Sequence, residues 1–304
     1  MLTVSCLSRE QLRARLAHGL HLRTGNFTTR LQSTIAEVAE GIGLLYADYP
    51  VAAADAFADF HLRLLRPRSV RRWIRPQVEL HYNGRALFKP LPLDQAFAMF
   101  EWGLNWCVAS RVHSHLIVHA AVVEKAGRAA ILPAPPGSGK STLCAALVGR
   151  GGWRLLSDEL AMLRLSTGQI APLPRPVSLK NGSIEVIRGY VPDAVLSRPV
   201  TDTSKGTVAH MRAPRASVIG AAHSASPAWV VFPRYQAGAD TRRTPLAPAH
   251  TFMELAENSF NYSVLGVRGF DALGRLIDQC QGHRLEYSRL DEALGFFDAL
   301  AAGA

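Results

Sequence analysis

The chain has 304 residues, of which 48% are hydrophobic and 19% are charged, and this composition excludes an intrinsically disordered protein. Its length allows one large α/β domain preceded by a smaller N-terminal part. The net charge of +10 is compatible with an acidic partner, but the arginine cluster between Arg63 and Arg75 lacks the regular aromatic interleaving of a base-stacking surface, so nucleic-acid binding is not favoured.

No membrane span is expected, because no run of about 18 uncharged apolar residues occurs. The N-terminus also lacks an apolar stretch of signal-peptide length, which favours a cytoplasmic protein. The cysteines form no C-x-x-C pair, so we expect free, buried thiols rather than disulfides or a zinc site. They are Cys6, Cys107, Cys144 and Cys280.

Residues 1–75 are interpreted as a separate, smaller α+β segment whose role the sequence does not indicate. Its apolar spacing predicts short helices at Gln11–Leu20 and Ile35–Tyr46. The arginine-rich stretch Arg66–Pro76 contains prolines and is typical of a junction. We therefore expect a second, larger domain at residues 76–304.

The larger domain begins with a clear hairpin pattern. Two alternating segments, Val78–Tyr82 and Ala86–Lys89, flank an Asn83-Gly84 dipeptide, which favours a tight β-turn. The next segment, Leu93–Val112, carries apolar residues at helical spacing and starts after a proline, so it is predicted to be a helix.

A strand–loop–helix–strand unit follows. Leu116–Val123 and Ala129–Pro133 are short apolar runs typical of buried strands, and a Gly/Pro loop then leads to a helix at Ser141–Val148 and a strand at Trp153–Ser157. The pattern predicts an α/β fold with a doubly wound sheet. Further expected elements are a hairpin from Leu160–Leu165 and Gln169–Leu173, strands at Trp229–Tyr235 and Arg284–Tyr287, and helices at Ala249–Phe260, Phe270–Gln281 and Asp291–Leu300.

The loop of this unit matches the last part of the G-x-x-x-x-G-K-[ST] phosphate-binding pattern. Gly137 and Gly139 allow positive φ and a close approach of the backbone to phosphate. The following helix directs the positive end of its dipole to the same point. Lys140 is expected to reach the β- and γ-phosphates, and the Ser141 hydroxyl is expected to ligate magnesium.

The loop departs from the pattern at its first glycine, which is Ala134 here. An alanine with positive φ would cost about 1 kcal/mol or more, although Pro135 favours an extended backbone at that position. A flexible loop is the alternative, but the strand before it and the helix after it favour a nucleotide site. The expected nucleotide contacts are Pro136, Gly137, Ser138, Gly139, Lys140, Ser141 and Thr142.

An acidic pair, Asp158-Glu159, ends the strand after the phosphate-loop helix. Ligands in α/β sheets bind at the carboxyl ends of the strands, where a carboxylate can hold magnesium or accept a proton. Asp158 and Glu159, together with Ser141, are therefore candidate metal ligands. The alternative is a solvated acidic turn.

These residues resemble the catalytic domain of the HPr kinase/phosphorylase family, and more closely its relatives called HPr-kinase-related kinase A. The resemblance covers roughly His119 to Lys205 and includes His119-Ala120, the phosphate loop, Gly151-Gly152 and the segment Arg154–Glu159, which is similar to the family's R-L-x-A-D-D. It implies a P-loop kinase domain of the HPr kinase type that uses ATP and Mg²⁺.

The resemblance also implies roles for individual residues. Asp158 would be the catalytic base, Lys140 would contact the phosphates, and Glu159 would lie near the metal, although the family usually has aspartate there. His119 corresponds to a family histidine close to the phosphates; a structural histidine is the alternative. Ile184–Gly189 is similar to the family's E-I-R-G segment but has one extra residue, which leaves a reverse, dephosphorylating reaction open.

Two lysine-containing segments, Ser178–Asn181 and Lys205–His210, also resemble the related kinases. Only five of the 34 basic residues are lysines, which draws attention to them as point-charge phosphate ligands. The hypothesis is that Lys180 or Lys205 screens charge on the transferring phosphoryl group, assisted by Arg212 or Arg234. The alternative for these four residues is ordinary surface charge.

The sequence thus predicts an ATP-dependent kinase whose acceptor is a hydroxyl on a protein, a peptide or a small molecule. The resemblance suggests a small PqqD-like peptide chaperone as a partner and, because HPr kinases are hexamers, leaves a homo-oligomer open. One alternative is a nucleotide-dependent regulatory or scaffold protein that binds ATP without transferring phosphate. A nucleic-acid-dependent ATPase is a further alternative that rests on net charge alone.

Overall fold

The computed structural model describes residues 2–303 and begins with a sheet flanked by helices. Strand order in this first sheet is β1-β2-β3-β4-β5, with β6 also paired to β4; β2 and β3 are parallel and the other pairs are antiparallel. Its elements are α1 (Arg9–His18), β1 (Leu20–Thr24), β2 (Phe27–Ser33), α2 (Ala36–Leu45), β3 (Phe60–Leu65), β4 (Gln77–Tyr82), β5 (Arg85–Ala86) and β6 (Leu91–Pro92).

The first sheet continues through the expected junction. Leu64 of β3 pairs with Leu80 of β4, so the strands on either side of the boundary at residue 75 belong to one sheet, which reaches Pro92. The hairpin at Asn83-Gly84 is confirmed, and both residues have positive φ, as a two-residue turn between twisted strands requires. N-terminal helices α1 and α2 are also confirmed, whereas β1 and β2 were not predicted.

The next elements surround the phosphate loop. Helix α3 (Ala96–Arg111) packs on α2 and on the first sheet, and its contact with α2 is close because Gly41 leaves room for the Phe97 ring. The elements that follow are β7 (His115–Lys125), β8 (Arg128–Pro133), α4 (Lys140–Gly149), β9 (Arg154–Ser157), β10 (Leu160–Arg164) and β11 (Ile170–Ala171).

The C-terminal part adds a small sheet and completes the large one. Strand order in the small sheet is β12-β14-β13, and its strands, like helix α5, were not predicted from the sequence. The elements are β12 (Val177–Lys180), α5 (Gly182–Tyr190), β13 (Val200–Thr203), β14 (Gly206–Met211), α6 (Arg215–Ile219), β15 (Ser226–Tyr235), β16 (Arg242–Leu246), α7 (Pro248–Glu257), α8 (Tyr262–Leu265), α9 (Val267–Gln279), β17 (Gln281–Tyr287) and α10 (Leu290–Ala302).

The large sheet is mixed, so the protein has a mixed α/β fold. Its order is β11-β10-β7-β8-β15-β17-β16, with β9 also paired to β7. Strands β8, β15 and β17 are parallel, but the strand after the phosphate-loop helix does not lie beside β8 as expected for a doubly wound sheet. Strand β9 instead pairs antiparallel with β7, because the β7–β8 hairpin already occupies that edge of β8.

Both faces of the large sheet are buried, which explains the continuous apolar runs of its strands. Ile117, Ala121 and Val123 of β7 lie on the face covered by α4, and the alternate residues lie on the face covered by α7 and α9. His119 is two residues after Ile117, so both side chains lie on the same face of β7. The His119 side chain therefore points towards the phosphate-loop helix, α4.

Two sequence-based expectations concern the chain as a whole. Within residues 2–303, every helix is too short or too polar to cross a lipid bilayer. All four cysteines are free thiols, as expected, but Cys6 is exposed and Cys280 only partly buried.

Candidate functional site

The phosphate-loop backbone has the predicted conformation. Gly137 and Gly139 adopt φ of 87° and 86°, and Gly139 is the N-cap of α4. A Cβ on Gly139 would lie 2.7 Å from the Tyr287 hydroxyl and 2.9 Å from Cβ of Tyr235, whereas a Cβ on Gly137 would meet open space. Glycine at both positions therefore avoids the strain that a side chain with positive φ would cause. At position 139 it also avoids a collision with Tyr235 and Tyr287.

The ends of two parallel strands hold the loop. The Tyr235 amide at the end of β15 donates a 2.9 Å hydrogen bond to the Ser138 carbonyl. The hydroxyl of Tyr287, at the end of β17, donates to the Gly139 carbonyl at 3.3 Å. Sequence reasoning did not find these two tyrosines, because their only local signal is a position at the end of a predicted strand. Ala134 does not adopt positive φ, so the missing first glycine introduces no such strain.

Strand register brings the loop, His119 and the acidic pair together. Ala120 of β7 is opposite Pro133, the last residue of β8, so the loop starts beside His119. On its other edge β7 pairs first with β9, through Val122 and Ser157, and then with β10, through His119 and Leu160. Asp158 and Glu159 fill the gap between β9 and β10, directly beside the phosphate loop.

Asp158 is a buried carboxylate with one free oxygen. Its Oδ2 accepts hydrogen bonds from the Ser141 hydroxyl at 3.3 Å and from the Ser178 amide at 2.9 Å. Its Oδ1 is buried and has no hydrogen-bond partner. Burial raises the pKa of Asp158 and outweighs the opposing effect of the Lys140 charge. A solvated acidic turn, the alternative considered for this pair, does not describe a residue that is only 5% exposed.

Lys140 and His119 form the other side of the site. The Nζ of Lys140 lies 3.3 Å from Nε2 of His119. Burial and, to a smaller extent, the Lys140 charge lower the pKa of His119 to about 4, so the imidazole is neutral at neutral pH and can accept a hydrogen bond from the ammonium group. Burial also lowers the pKa of Lys140, which is 8% exposed.

Glu159 belongs to a buried polar network that sequence reasoning missed. Asn105 of α3 donates a hydrogen bond to Glu159, and Arg175 donates one to Asn105. Arg175 also lies 3.7 Å from Glu101, which accepts a 2.6 Å hydrogen bond from Tyr46. Burial alone would raise the pKa of Glu159, but nearby positive charges, Lys205 foremost, lower it, so this residue is a carboxylate.

The four expected phosphate contacts divide into two pairs. Lys180 and Lys205 are among the charges that lower the pKa of Glu159, and the Lys205 ammonium lies 5.4 Å above the Trp102 ring. Arg212 instead pairs with Asp48 at 2.5 Å, and the exposed Arg234 lies 3.6 Å from Glu286. The charges of the two lysines thus act on Glu159, whereas the two arginines are held by carboxylates elsewhere.

The carboxylates suit a small, hard cation. Asp158 Oδ1 is an orphaned buried acceptor, and the Ser141 hydroxyl lies next to the same carboxyl group. Among residues 2–303, no group of three or more His, Cys, Asp or Glu side chains could hold a metal by itself. A magnesium ion here would therefore need phosphate oxygens or water as additional ligands, as is usual for this ion.

Asp158 and Glu159 line a small cavity with room of about 10 Å³, enough for one water molecule. Trp102, Ser178 and His210 line it, and both the Trp102 Nε1 and the Ser178 hydroxyl are buried without a partner.

Comparison with known proteins identifies no relative: no protein-family model matches the chain, and no curated protein is significantly similar to it.

Proposed function

We propose that the protein is an ATP-dependent kinase, with a P-loop domain of the HPr kinase type, that transfers the γ-phosphoryl group to a hydroxyl of a protein, a peptide or a small molecule. The observation that carries the proposal is the 3.3 Å hydrogen bond from the Ser141 hydroxyl to Asp158. This hydrogen bond joins the first turn of the phosphate-loop helix to a buried carboxylate. Phosphoryl transfer requires both a phosphate-binding loop and a nearby carboxylate.

The loop residues would bind and orient the triphosphate. Backbone N–H groups at 137–141 and the N-terminus of α4 offer donors and positive potential to phosphate oxygens. Lys140 supplies a full positive charge, and the neutral His119 at 3.3 Å holds its ammonium group in position. Lys180 and Lys205 add positive charge on the side of Glu159. The arrangement supports electrostatic stabilisation of the transferred group.

Asp158 would act as the general base. The acceptor hydroxyl would give its proton to Oδ1, the oxygen without a partner, while Ser141 and Ser178 hold Oδ2. The acceptor oxygen would then form a bond to the γ-phosphorus as the bond to the β-phosphate oxygen breaks, leaving ADP. The raised pKa of Asp158 favours this role, because a base is most effective when its pKa approaches the working pH.

Magnesium would be held by Ser141 and by Asp158 or Glu159. When bound, the ion would neutralise charge that develops on the phosphates. Asp158 Oδ1 cannot ligate the metal and accept the proton at once. Burial raises the pKa of Glu159, but the charges of the surrounding lysines lower it by more. Glu159 is therefore ionised and suits the role of metal ligand.

Transfer of label from γ-³²P-ATP to serine- and threonine-containing peptides and to small-molecule alcohols tests the proposal. Lys140→Ala is expected to abolish nucleotide turnover, whereas Lys89→Ala, at an exposed lysine outside the site, should leave it unchanged. ATP binding without label transfer to any acceptor would favour the regulatory or scaffold alternative. Absence of ATP binding would overturn the proposed nucleotide site itself.

A further inference from the structure

A large basic groove crosses the first sheet, on its outer face and outside the site described above. The groove has a volume of about 870 Å³, and outward-facing side chains of β2, β3 and β4 form its floor. Arg30 and Arg63 lie on that floor, and the segment 66–72, which connects β3 to β4, contributes Arg66, Arg68 and Arg72 to its wall.

Arginine and histidine side chains occupy neighbouring positions on this floor. Arg30 is in register with His61 across the β2–β3 pair, and Arg63 is in register with His81 across the β3–β4 pair. The only carboxylate lining the groove is Glu79, which lies 3.1 Å from His81.

The arginines of the groove have no carboxylate partner within the described part of the chain. The guanidinium of Arg30 donates to the His18 carbonyl at 2.6 Å, and none of Arg63, Arg66, Arg68 or Arg72 forms an ion pair among residues 2–303. Arginines elsewhere in the chain behave differently, since Arg175 pairs with Glu101 and Arg212 with Asp48. The groove therefore presents guanidinium groups whose charge no carboxylate neutralises. The planar guanidinium can donate two parallel hydrogen bonds to a carboxylate, so these groups match acidic side chains.

Apolar side chains are exposed next to the same wall. Val70, Trp73 and Ile74 have 63%, 75% and 63% of their surface exposed, and the Arg72 guanidinium lies 5.9 Å from the centre of the Trp73 ring. Tryptophan and arginine are the residues most enriched at the energetic centres of protein interfaces. An exposed apolar group beside a charged groove is typical of a protein-binding surface.

We propose that this groove binds an acidic segment of a partner protein, with aspartate or glutamate side chains on the arginines and apolar side chains on Trp73 and Ile74. Outward positions of β2, β3 and β4 within the groove carry no phenylalanine, tyrosine or tryptophan, the large aromatic side chains on which nucleic-acid bases usually stack. The proposal does not depend on the proposed phosphoryl transfer.

Fluorescence anisotropy with the full chain, without nucleotide, tests the proposal. The probe is a labelled peptide of glutamate, aspartate and leucine, and the comparison probes are the same peptide with lysine in place of its acidic residues, a single-stranded oligonucleotide and vesicles of anionic lipid. Arg63→Glu/Arg72→Glu is expected to weaken acidic-peptide binding by at least about tenfold, since interface charge reversal removes attraction and adds repulsion. Trp73→Ala should weaken it by at least about threefold, the effect of a lost apolar contact.

The matched control is Arg242→Glu/Arg268→Glu, which reverses the same number of charges at exposed positions outside the groove. It should change the affinity by less than about threefold, because distant exposed charges are screened by salt. The proposal is overturned if the wild-type chain does not bind the acidic peptide or if the control variant loses as much affinity as the groove variant. Tighter binding of the oligonucleotide or the vesicles through the same arginines would also overturn it. Trp73 is exposed, so its variant tests the groove even if the double arginine variant fails to fold.

Discussion

The hydroxyl of Tyr46 donates a 2.6 Å hydrogen bond to Oε1 of Glu101, and both side chains are fully buried between α2 and α3. The bond starts a chain of polar contacts that continues through Arg175 and Asn105 to Glu159. Through this chain the N-terminal part of the molecule helps to orient an acidic residue of the proposed site. Residues 1–75 are therefore linked to that site by buried hydrogen bonds and one buried ion pair, as well as by the first sheet.

Tyr46→Phe is expected to lower the free energy of unfolding by about 1–3 kcal/mol, because it leaves a buried oxygen of Glu101 without its donor. Tyr49→Phe is the matched control. It removes a hydroxyl that donates to the Pro174 carbonyl at 2.8 Å, an uncharged acceptor, and should cost only about 0.5–1.5 kcal/mol. Urea unfolding measures both values, and a Tyr46 variant no less stable than the Tyr49 variant would contradict the importance of this network.

Asp158→Asn is expected to reduce phosphoryl transfer by at least about 10²-fold, because the amide keeps the shape of the carboxyl group but cannot accept the acceptor's proton. ATP affinity, measured by calorimetry, should remain largely unchanged. Asp298→Asn is the control, since that half-exposed carboxylate pairs with Lys125. Full transfer activity in the Asp158 variant would show that another group is the base, and a large loss of Mg²⁺-dependent ATP affinity would instead assign Asp158 to the metal.

Gly139→Ala should weaken ATP binding and lower the melting temperature more than Gly137→Ala. Both glycines have positive φ, so either alanine introduces backbone strain of about 1 kcal/mol. Only the Cβ at 139 would also collide with Tyr235 and Tyr287, which forces the ends of β15 and β17 to move. Calorimetric ATP titration and thermal unfolding measure the two effects. Equal effects of the two substitutions would mean that crowding at 139 is unimportant.

Stability is expected to fall on acidification between about pH 6.5 and 4, as buried neutral histidines become protonated on unfolding. Burial lowers the pKa of both His115 and His210 to about 4, below the usual value of about 6.5 in an unfolded chain. Between about pH 6.5 and pH 4 the unfolded state binds more protons than the folded state. Acidification in this range therefore stabilises the unfolded state and lowers the free energy of unfolding. Each histidine should contribute a loss of about 2 kcal/mol between pH 7 and pH 5.

Urea unfolding of the His115→Gln variant at the two pH values measures this contribution. The variant should lose about 2 kcal/mol less than the wild type on acidification, because glutamine does not titrate in this range. His113→Gln, at an exposed position, is the control and should leave the pH dependence unchanged. An unchanged pH dependence in the His115 variant would contradict the lowered pKa.

Local sequence signals predicted several elements well. The Asn83-Gly84 turn, helix α3 and the phosphate loop all agree with the structure, since each depends on residues adjacent in the chain. The prediction was wrong for the strand after the loop, which is not a neighbour of β8. An apolar run indicates a buried strand, but it does not indicate which other strand the buried strand pairs with.

Strands β1, β2 and β12–β14 were missed for a related reason. Short strands such as Leu20–Thr24 and Val177–Lys180 contain basic residues and are only five and four residues long, so their local strand signal is weak. Cross-strand pairing stabilises them, for example between Ser178 and His210. Pairing partners so far apart in the chain have no local signature.

The amino-acid sequence alone determined the phosphate loop, because positive φ at two glycines and a helix start at Lys140 follow from residues in immediate succession. Only the tertiary structure decided which groups surround Asp158 and Glu159. Their partners Ser178 and Asn105 lie on other elements, and the contacts exist because strand register and helix packing bury these groups together. Burial raises the pKa of Asp158 and nearby positive charges lower that of Glu159, and both environments are properties of the folded chain rather than of any segment within it.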